Sequence, residues 1–450
     1  MTTLSYFFDV QKGERLKTSL LFLWFFLFIC CYYVLRPIRR GLVLEGLGND
    51  NMPFIYMGTA LVTGVVVYIY SKFAHLPRKP LIGGIYTIFM INLLVWWQLF
   101  QNPTGLTAGV FWVWLDVFSI MGVTLFWMYA NDLFNSASAK RLFGIIAGGG
   151  GLGAVFGSSI TAELVKSLGS TNMLLVAAGI IALTLGIFFV IESVCSKDIA
   201  NMKAESASDK KSKYDLSNFS GVFKQIASNR FLLFLTCVVC FERITPDLIQ
   251  FLYHEVLHTM ATGSDAIAAV DANLERWRGI CEFFVEIFLV AFVIRKFGTG
   301  VSIASSGVMI AASLVCFAIF ANPLIVVAIF HADEAIRHSW FKAAKELTYT
   351  VTSRDILYSV KPVIEMFFYR FSRGFAGLLI LLVNSVFGLG TYGIIGLGIV
   401  CGSAWAFFAL KLNAEFRRLE VKSQINKAFD DSSQETLKCA GQKNSDKIGV

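Results

Sequence analysis

Apolar segments of about twenty residues recur along almost the whole chain, and a helix of that length crosses the hydrocarbon core of a bilayer. They lie near 16–37, 52–73, 81–101, 105–130, 142–165 and 171–194, then near 230–252, 277–297, 300–320, 323–345, 362–386 and 391–412. The alternating strand pattern of a membrane β-barrel does not occur. The sequence therefore predicts an all-α membrane protein with twelve transmembrane helices, numbered here as spans 1 to 12.

A polar stretch divides the apolar pattern in the middle of the chain. Residues 196–220 are rich in Lys, Asp, Glu and Ser, a composition typical of a solvated linker. We therefore predict an N-terminal six-helix half at 1–195, a cytoplasmic linker at 196–220, a C-terminal six-helix half at 221–415 and a polar cytoplasmic tail at 416–450. Two similar helical halves that move about a site near the membrane midplane are typical of transporters.

The composition agrees with a membrane protein, because 56% of the residues are hydrophobic and only 16% are charged. The formal charge of +8 comes from Lys and Arg scattered through short loops, so no nucleic-acid partner is expected. These basic residues fall in alternate loops, whereas the loops near Asn102, Asn322 and Gly388 have none. The positive-inside rule then places both termini in the cytoplasm. A bacterial inner membrane is the expected location.

Ionised side chains inside the spans are the main functional signal, because charge in hydrocarbon is costly unless it faces a polar pathway. They fall largely on spans 1, 4, 7 and 10, the first helices of the four three-helix repeats expected in such a layout. We therefore predict that these spans line a substrate site. Its candidate residues are Arg36, Arg39, Asp116, Glu242, Arg243, Asp333, Glu334 and Arg337.

Three arginines near the end of span 1 suggest the charge of the substrate. Arg36, Arg39 and Arg40 are three and four residues apart, so they project from one side of a helix. Guanidinium groups bind carboxylate or phosphate through paired hydrogen bonds and stay charged. The pattern indicates an anion site. The alternative is that the arginines extend to the outer headgroups, with Pro37 ending the helix.

The acidic residues of span 10 have two interpretations. Asp333 and Arg337 are four residues apart, as are Glu334 and His338, so they could pair along the helix. Alternatively, Asp333, Glu334 and Glu242 of span 7 could exchange protons or alternate salt-bridge partners during transport.

Span 8 carries two further candidates for coupling, Glu282 and Glu286. They lie one turn apart, an arrangement that favours proton binding when the carboxylates are buried. Alternatively, they could face a basic partner such as Arg370 or Arg373 in span 11.

Two motifs invite stronger interpretations than their context supports. The glycines of span 5 repeat every four residues, which favours close helix packing over a phosphate loop; they are Gly144, Gly148, Gly149, Gly153 and Gly157. His254, Glu255 and His258 form an HExxH, and Glu275 follows as a conceivable third zinc ligand. A membrane zinc metalloprotease is therefore the competing class. A polar loop at the cavity mouth is the favoured interpretation, with no metal or other cofactor.

Three strings resemble the ATP/ADP translocase family, a nucleotide-transporter branch of the major facilitator superfamily. They are YYVLRPIRRGL in span 1, RLFGIIAGGGGLGAVFGSSIT in span 5, and FKAAKELTYTVTSRDILYSVKPVIEMFFYRFSRG from span 10 into span 11. The resemblance extends over most of 1–415, and Lys345, Glu346 and Tyr349 form its most specific part. It implies alternating access and nucleotide exchange, with Arg39 and Arg373 at positions of basic residues that meet substrate.

The chain departs from the family pattern beside these positions. Pro37 and Arg39 replace an Asp and a Lys of the nucleotide exchangers, and Arg40 stands where the family usually has an acid. Together the residues and the resemblance predict a monomeric secondary active transporter, not an enzyme. Its substrate is an organic anion, with nucleotides as the named candidate, moved by exchange or with protons. The alternative within transport is a proton-coupled carrier of another metabolite such as a siderophore.

Overall fold

The computed structural model describes residues 10–11, 13–73, 77–134, 136–206, 219–349, 352 and 360–445, and these are helical with no strand. Parts of the predicted linker and of the string shared with the ATP/ADP translocase family, 207–218 and 353–359, lie outside the described residues. The N-terminal segment contains α1 (Arg15–Gly46), a 3-10 turn (Asn49–Asn51), α2 (Met52–Phe73), α3 (Arg78–Leu99), α4 (Gly105–Leu133) and α5 (Ser136–Ser206).

The C-terminal segment begins after the undescribed linker residues. It contains α6 (Phe219–Ser228), α7 (Arg230–Met260), α8 (Ser264–Phe288), α9 (Val290–Phe320), α10 (Pro323–Ile336), α11 (Lys342–Thr348), α12 (Tyr369–Leu381) and α13 (Gly390–Ser445). The C-terminal segment also contains three π-helical stretches. Arg337–Phe341 lies between α10 and α11, Val363–Phe368 directly precedes α12, and Leu382–Val386 directly follows it. Such π-helical turns are frequent at functional sites.

Two glycines mark borders that the sequence predicts between spans. Gly169 has a φ of 80° inside α5, and Gly298 has a φ of 77° inside α9. A positive φ is readily adopted only by glycine, so the chain turns there. Beyond the turn α5 continues through Ser206 into the predicted linker, and α13 continues through Ser445 into the predicted tail.

Seven helical runs within the described residues are long and apolar enough to cross a membrane, fewer than the twelve predicted. They are Arg15–Gly46, Arg78–Leu99, Gly105–Leu133, Arg141–Cys195, Phe292–Phe320, Val360–Val386 and Gly390–Val421. The run Arg141–Cys195 has 55 residues and contains the break at Gly169, so it covers two predicted spans. Predicted spans 7 and 8 fall short because α7 and α8 carry several charged residues, and α10 has only 14 residues before the π-helical stretch.

The glycines of span 5 confirm the prediction of close packing. A Cβ atom on Gly149, Gly153 or Gly157 would lie 2.6, 2.4 or 2.3 Å from a backbone carbonyl oxygen of α1. Helix α5 therefore lies directly against the backbone of α1, an approach that only small residues permit. Gly144 and Gly148 meet no such neighbour. This contact fixes α1, which carries the three arginines.

The two segments pack against each other through α5 with α8 and through α2 with α12. A Cβ atom on Gly41 would lie 2.2 Å from the carbonyl oxygen of Ser264, and one on Gly377 would lie 2.6 Å from that of Pro53. These contacts lie toward the end of the bundle where α1 ends and α2 begins. The segments are therefore closed against each other at that end.

Candidate functional site

The three arginines of α1 are buried inside the bundle. Arg36, Arg39 and Arg40 are 6%, 4% and 0% exposed, and the helix continues through Pro37 to Gly46. The alternative that they extend to the headgroups is therefore wrong. Buried charges need partners, because their desolvation is costly.

Arg39 meets a carboxylate that it shares with an arginine of the other segment. Its Nη1 is 2.7 Å from Asp116 Oδ1, and Nη1 of Arg373 is 2.8 Å from Asp116 Oδ2. Asp116 lies on α4, whereas Arg373 lies on α12 of the C-terminal segment. One carboxylate thus serves two guanidinium groups and joins the segments.

Further cations surround this pair. Nη2 of Arg243 lies 2.7 Å from Asp247 Oδ1, and Arg243 also interacts electrostatically with Asp116. Arg370 has Arg243, Asp116 and Arg373 as electrostatic neighbours, and its buried Nε has no hydrogen-bond partner within the described part of the chain. We call this group the arginine-rich cluster, and it comprises Arg39, Asp116, Arg243, Asp247, Arg370 and Arg373. Its four cations exceed its two carboxylates.

Aromatic rings cover the guanidinium groups of the arginine-rich cluster. The Cζ of Arg39 is 4.2 Å from the ring centroid of Trp112, that of Arg373 is 5.1 Å from Tyr56, and that of Arg243 is 5.4 Å from Tyr369. Cation–π contacts of this kind hold a guanidinium in place without neutralising it. Excess positive charge held in this way suits an anionic ligand.

A second group of ions joins α1 to α8 and α10. Nη1 of Arg40 is 2.7 Å from Asp271 Oδ1 and 2.8 Å from Glu275 Oε1. Arg36 bonds to Glu334, and its Nη1 is 3.2 Å from Glu275 Oε1. We call this group the acid-rich cluster. It comprises Arg36, Arg40, Asp271, Glu275, Arg278, Glu282 and Glu334, with four carboxylates and three cations.

Residues of the C-terminal segment hold the acids of this cluster in place. Arg278 lies 2.8 Å from Glu275 Oε2 and also pairs with Glu282. The Tyr253 hydroxyl donates a hydrogen bond of 2.8 Å to Asp271. The carboxylates therefore belong to the C-terminal segment, while Arg36 and Arg40 enter from the N-terminal segment.

A third set of ions lies wholly within the C-terminal segment. Nζ of Lys345 is 2.7 Å from Glu242 and 3.1 Å from Glu365, and the Tyr349 hydroxyl donates to Glu365 at 3.0 Å. Lys345 is only 5% exposed. Lys345 and Tyr349 belong to the motif that resembles the ATP/ADP translocase family. Lys345, on α11, thus connects α7 to the π-helical stretch Val363–Phe368, and Tyr349 adds a second contact to that stretch.

Of the two pairs predicted along span 10, one forms and the other does not. Nε of Arg337 is 3.3 Å from Asp333 Oδ2, as predicted for a pair along the helix. The predicted pair of Glu334 with His338 is wrong, because Glu334 bonds to Arg36 and His338 Nδ1 is 3.4 Å from Glu282 Oε1. The helix turns Glu334 toward α1, where a stronger cationic partner is available.

The two carboxylates of span 8 also have different surroundings. Glu282 pairs with Arg278, whereas Glu286 is exposed. The electrostatic neighbours of Glu286 are Glu282, Lys342 and His338. Arg370 and Arg373 are not among the partners of either carboxylate in the described residues.

The HExxH residues have different surroundings. His254 is fully buried against Trp112, with ring centroids 5.5 Å apart, and Glu255 accepts a hydrogen bond from Thr391. His258 is exposed. Among the described residues the one group with metal-ligand spacing is Glu275, His331 and Glu334, whose ligand atoms lie within 4.8 Å of one another. The structure therefore does not favour a metalloprotease.

The sequence prediction missed Asp271 and Arg278 of the acid-rich cluster and named Glu275 only as a conceivable zinc ligand. Asp271, Glu275, Arg278 and Glu282 are spaced four, three and four residues apart, which places them on one face of α8. This spacing was a readable signal. Span 8 was predicted to begin near residue 277, so its first turns were excluded, whereas α8 begins at Ser264. Asp247, Lys345, Glu365 and Arg370 were also absent from the predicted site.

Known proteins resemble this chain in sequence. Residues 107–331, half of the chain, match the model of the TLC ATP/ADP transporter family. The chain is 22% identical to ADP,ATP carrier protein 1 of Chlamydia trachomatis serovar D, covering 94% of this chain and 91% of that protein. It is also 22% identical to ADP,ATP carrier protein 1 of Chlamydia muridarum, covering 94% and 90%.

Solved structures share the fold at low sequence identity. A mutant of the nucleoside transporter NupG has a TM-score of 0.61 and 12% identity, covering 88% of this chain and 99% of that one. A bacterial homologue of the iron transporter ferroportin in an inward-facing state has a TM-score of 0.60 and 11% identity, covering 89% and 100%. The fold is thus the helical fold of major facilitator transporters. The chain is an integral multi-pass membrane protein and belongs to the TLC ATP/ADP transporter family.

Proposed function

We propose that this protein carries a phosphorylated nucleotide across the membrane by alternating access and that the arginine-rich cluster binds its phosphates. The observation that carries the proposal is the sharing of Asp116 between Arg39 and Arg373. Each guanidinium has donors to spare, and Arg370 adds a cation without a carboxylate partner in the described residues. ADP and ATP are the named candidates, because relatives covering most of the chain are called ADP,ATP carriers.

A phosphate would compete with Asp116 for its two arginines. Guanidinium groups bind phosphate oxygens through paired, charge-assisted hydrogen bonds, so Arg39 and Arg373 could clamp one phosphate group from opposite segments. Trp112 and Tyr56 lie against these arginines and hold them in position for the phosphate. Binding would then exchange one anion for another at the junction of the segments.

The proposed architecture is the predicted one, with twelve spans in two six-helix halves, 1–195 and 221–415, a linker at 196–220 and a tail at 416–450. The carrier is monomeric and lies in a bacterial inner membrane with both termini in the cytoplasm. In that orientation the closed end, where α1 packs against Ser264, faces outward.

Transport in proteoliposomes tests the proposal. We expect radiolabelled ATP or ADP to enter vesicles containing the full chain, more rapidly with nucleotide inside if the carrier exchanges its substrates. Arg373→Ala removes a charge-assisted contact to phosphate, so the apparent affinity should fall by about 10- to 100-fold. Arg373→Lys, which keeps the charge without the paired donors, should lie between the two.

Arg418→Ala is the matched control, because this arginine side chain is 78% exposed and distant in sequence from the cluster. It should transport like the wild type. Wild-type rates in Arg373→Ala, or inhibition by an unphosphorylated nucleoside as strong as that by ATP, would contradict the phosphate site. A siderophore included among the competitors tests the alternative substrate.

A further inference from the structure

The acid-rich cluster divides its charges unequally between the two segments. Its four carboxylates, Asp271, Glu275, Glu282 and Glu334, come from α8 and α10, together with one cation, Arg278. The other two cations, Arg36 and Arg40, come from α1. The cluster therefore has one carboxylate in excess while the segments are closed at this end, and it would have three in excess without the arginines of α1.

Opening this end would withdraw α1 and leave the acids with one arginine. Four carboxylates beside a single guanidinium carry three uncompensated negative charges, which is costly where water access is limited. Proton binding removes this cost most directly, because a protonated carboxyl carries no charge. The same step that removes Arg36 and Arg40 thus raises the affinity of the acids for protons.

His331 adds an independent proton acceptor at the same place. Both of its ring nitrogens are buried and have no hydrogen-bond partner among the residues that the structure describes. One of them lies within 4.8 Å of carboxylate oxygens of Glu275 and Glu334. An imidazole nitrogen can accept a proton and donate it again, so this side chain suits transfer to and from these carboxylates.

The groups that face the cluster come from four α-helices and from the π-helical stretch that follows α10. In the closed state the cations oppose protonation of the acids. Tyr33, Arg36 and Arg40 lie on α1, Tyr253 and His254 on α7, Asp271, Glu275, Arg278 and Glu282 on α8, and His331, Asp333, Glu334, Arg337 and His338 along α10 and the π-helical stretch that follows. Asp333 is turned toward Arg337 on its own helix and does not contact α1 in the described contacts.

We propose that Glu275, His331 and Glu334 form the proton-coupling site of this carrier. A proton from outside binds Glu334, beside Glu275 and His331, when Arg36 and Arg40 withdraw. It leaves when the arginines return and restore their ion pairs. The nucleotide and the proton thus occupy separate sites. Both sites contain arginines of α1, so both change when α1 moves. This inference rests on the proposed alternating access, and it names the coupling ion and the residues that bind it.

A pH gradient across proteoliposomes tests the site, with the membrane potential clamped. If one proton accompanies each nucleotide, a gradient of one pH unit should shift the accumulation ratio of labelled ATP by about tenfold. Glu334→Gln cannot gain or lose the proton, so the gradient should have no effect, although exchange without a gradient persists. Asp333→Asn is the matched control, an adjacent acid on the same helix, and should keep the tenfold response whatever its rate.

A second variant guards against a folding defect in Glu334→Gln. Arg36→Gln removes the cation that expels the proton while leaving the carboxylates intact, so it should also lose the response to the gradient. Both variants should elute as single species in detergent. A full gradient response in Glu334→Gln, a lost response in Asp333→Asn, or a wild type that ignores the gradient would overturn the proposal.

A measurement without nucleotide separates this proposal from the proposed function. Deuterium uptake by peptides from 36–46 and 264–278, corrected for the intrinsic pH dependence of exchange, reports opening of the closed end. Uptake should rise at low pH in the wild type and not in Glu334→Gln. If no nucleotide is transported but this difference appears, the substrate assignment fails and the proton site stands. If the uptake is the same in both proteins, the proton site fails.

Discussion

Two clusters of buried ions meet on α1, and they differ in the sign of their excess charge. Arg36 and Arg40, four residues apart, face the carboxylates of α8 and α10, whereas Arg39 faces Asp116 and Arg373. Neighbouring positions on a helix are about 100° apart, so adjacent arginines reach different partners. One helix can therefore serve an anion site and an acid-rich site at the same level of the bundle.

The comparison also shows how the two clusters respond to opening. In the arginine-rich cluster, Asp116 and Arg39 lie on the N-terminal segment and three arginines lie on the other, so separation exposes cations on both sides. In the acid-rich cluster, separation exposes carboxylates on one side and arginines on the other. The first arrangement favours binding of an anion between the segments. The second favours binding of cations to the C-terminal segment alone.

The largest expected effect breaks both clusters together. Gly153→Leu places a side chain where a Cβ atom alone would lie 2.4 Å from the Phe26 carbonyl oxygen, so α1 must move away from α5. We expect about 3 kcal/mol or more of lost stability and loss of transport. Gly151→Leu, on an exposed face with nothing within 4 Å of its Cβ position, is the control. Equal apparent Tm values for the two variants would contradict the packing.

A more local substitution breaks only the acid-rich cluster and leaves the contact of α1 with α5 in place. Arg40→Ala leaves Asp271 and Glu275 buried without this cation, which costs about 3–5 kcal/mol when one partner of a buried pair is removed. The apparent Tm in detergent should fall by several degrees, while Arg418→Ala should leave it unchanged. Arg40→Ala with a wild-type Tm would show that the ion pairs do not hold this end closed.

The cations of the arginine-rich cluster differ in whether a carboxylate of the described residues pairs with them. Arg370→Gln removes a cation without a carboxylate partner among the described residues, so ATP affinity should fall by about tenfold with no loss of Tm. Arg243→Gln removes the partner of Asp247 and should lower both affinity and Tm. Thermal shift with and without ATP measures both quantities. The same loss of Tm in both variants would show that the ion pair of Arg243 with Asp247 adds no stability that Arg370 lacks.

The sequence predicts the helices of this fold better than it predicts the partners of its charges. The apolar runs give the helical class, and Gly169 and Gly298 lie at two predicted borders because a chain that reverses direction needs a positive φ. The spacing of Asp333 and Arg337 predicts their pair, since both lie on one helix. Local geometry is sufficient for such features.

Partners on different helices could not be predicted in this way. Glu334 is paired along its helix by spacing alone, yet it bonds to Arg36, which is 298 residues away. Arg39 and Arg373 were predicted as separate substrate contacts. In the structure Asp116 of α4 pairs with both of them, and this depends on how three helices pack together. The start of α8 was missed because its charged residues lower the apolarity by which spans are recognised. Charges that matter most for the site thus weaken the signal that would locate it.

The smallest expected effect tests whether aromatic cover matters to the arginine-rich cluster. Trp112→Leu removes the ring that lies 4.2 Å from Arg39 Cζ, a contact of about 0.5–1 kcal/mol, so ATP affinity should fall by about two- to fivefold. Trp112→Phe keeps a weaker aromatic face and should recover part of the loss. Trp114→Leu, two residues along the same helix, removes a ring that packs against Phe111 and Phe118 instead, and should leave affinity unchanged. Because the acid-rich cluster lacks Trp112, the pH response should be the same in all three variants, and a changed response would show that the two sites are not separate.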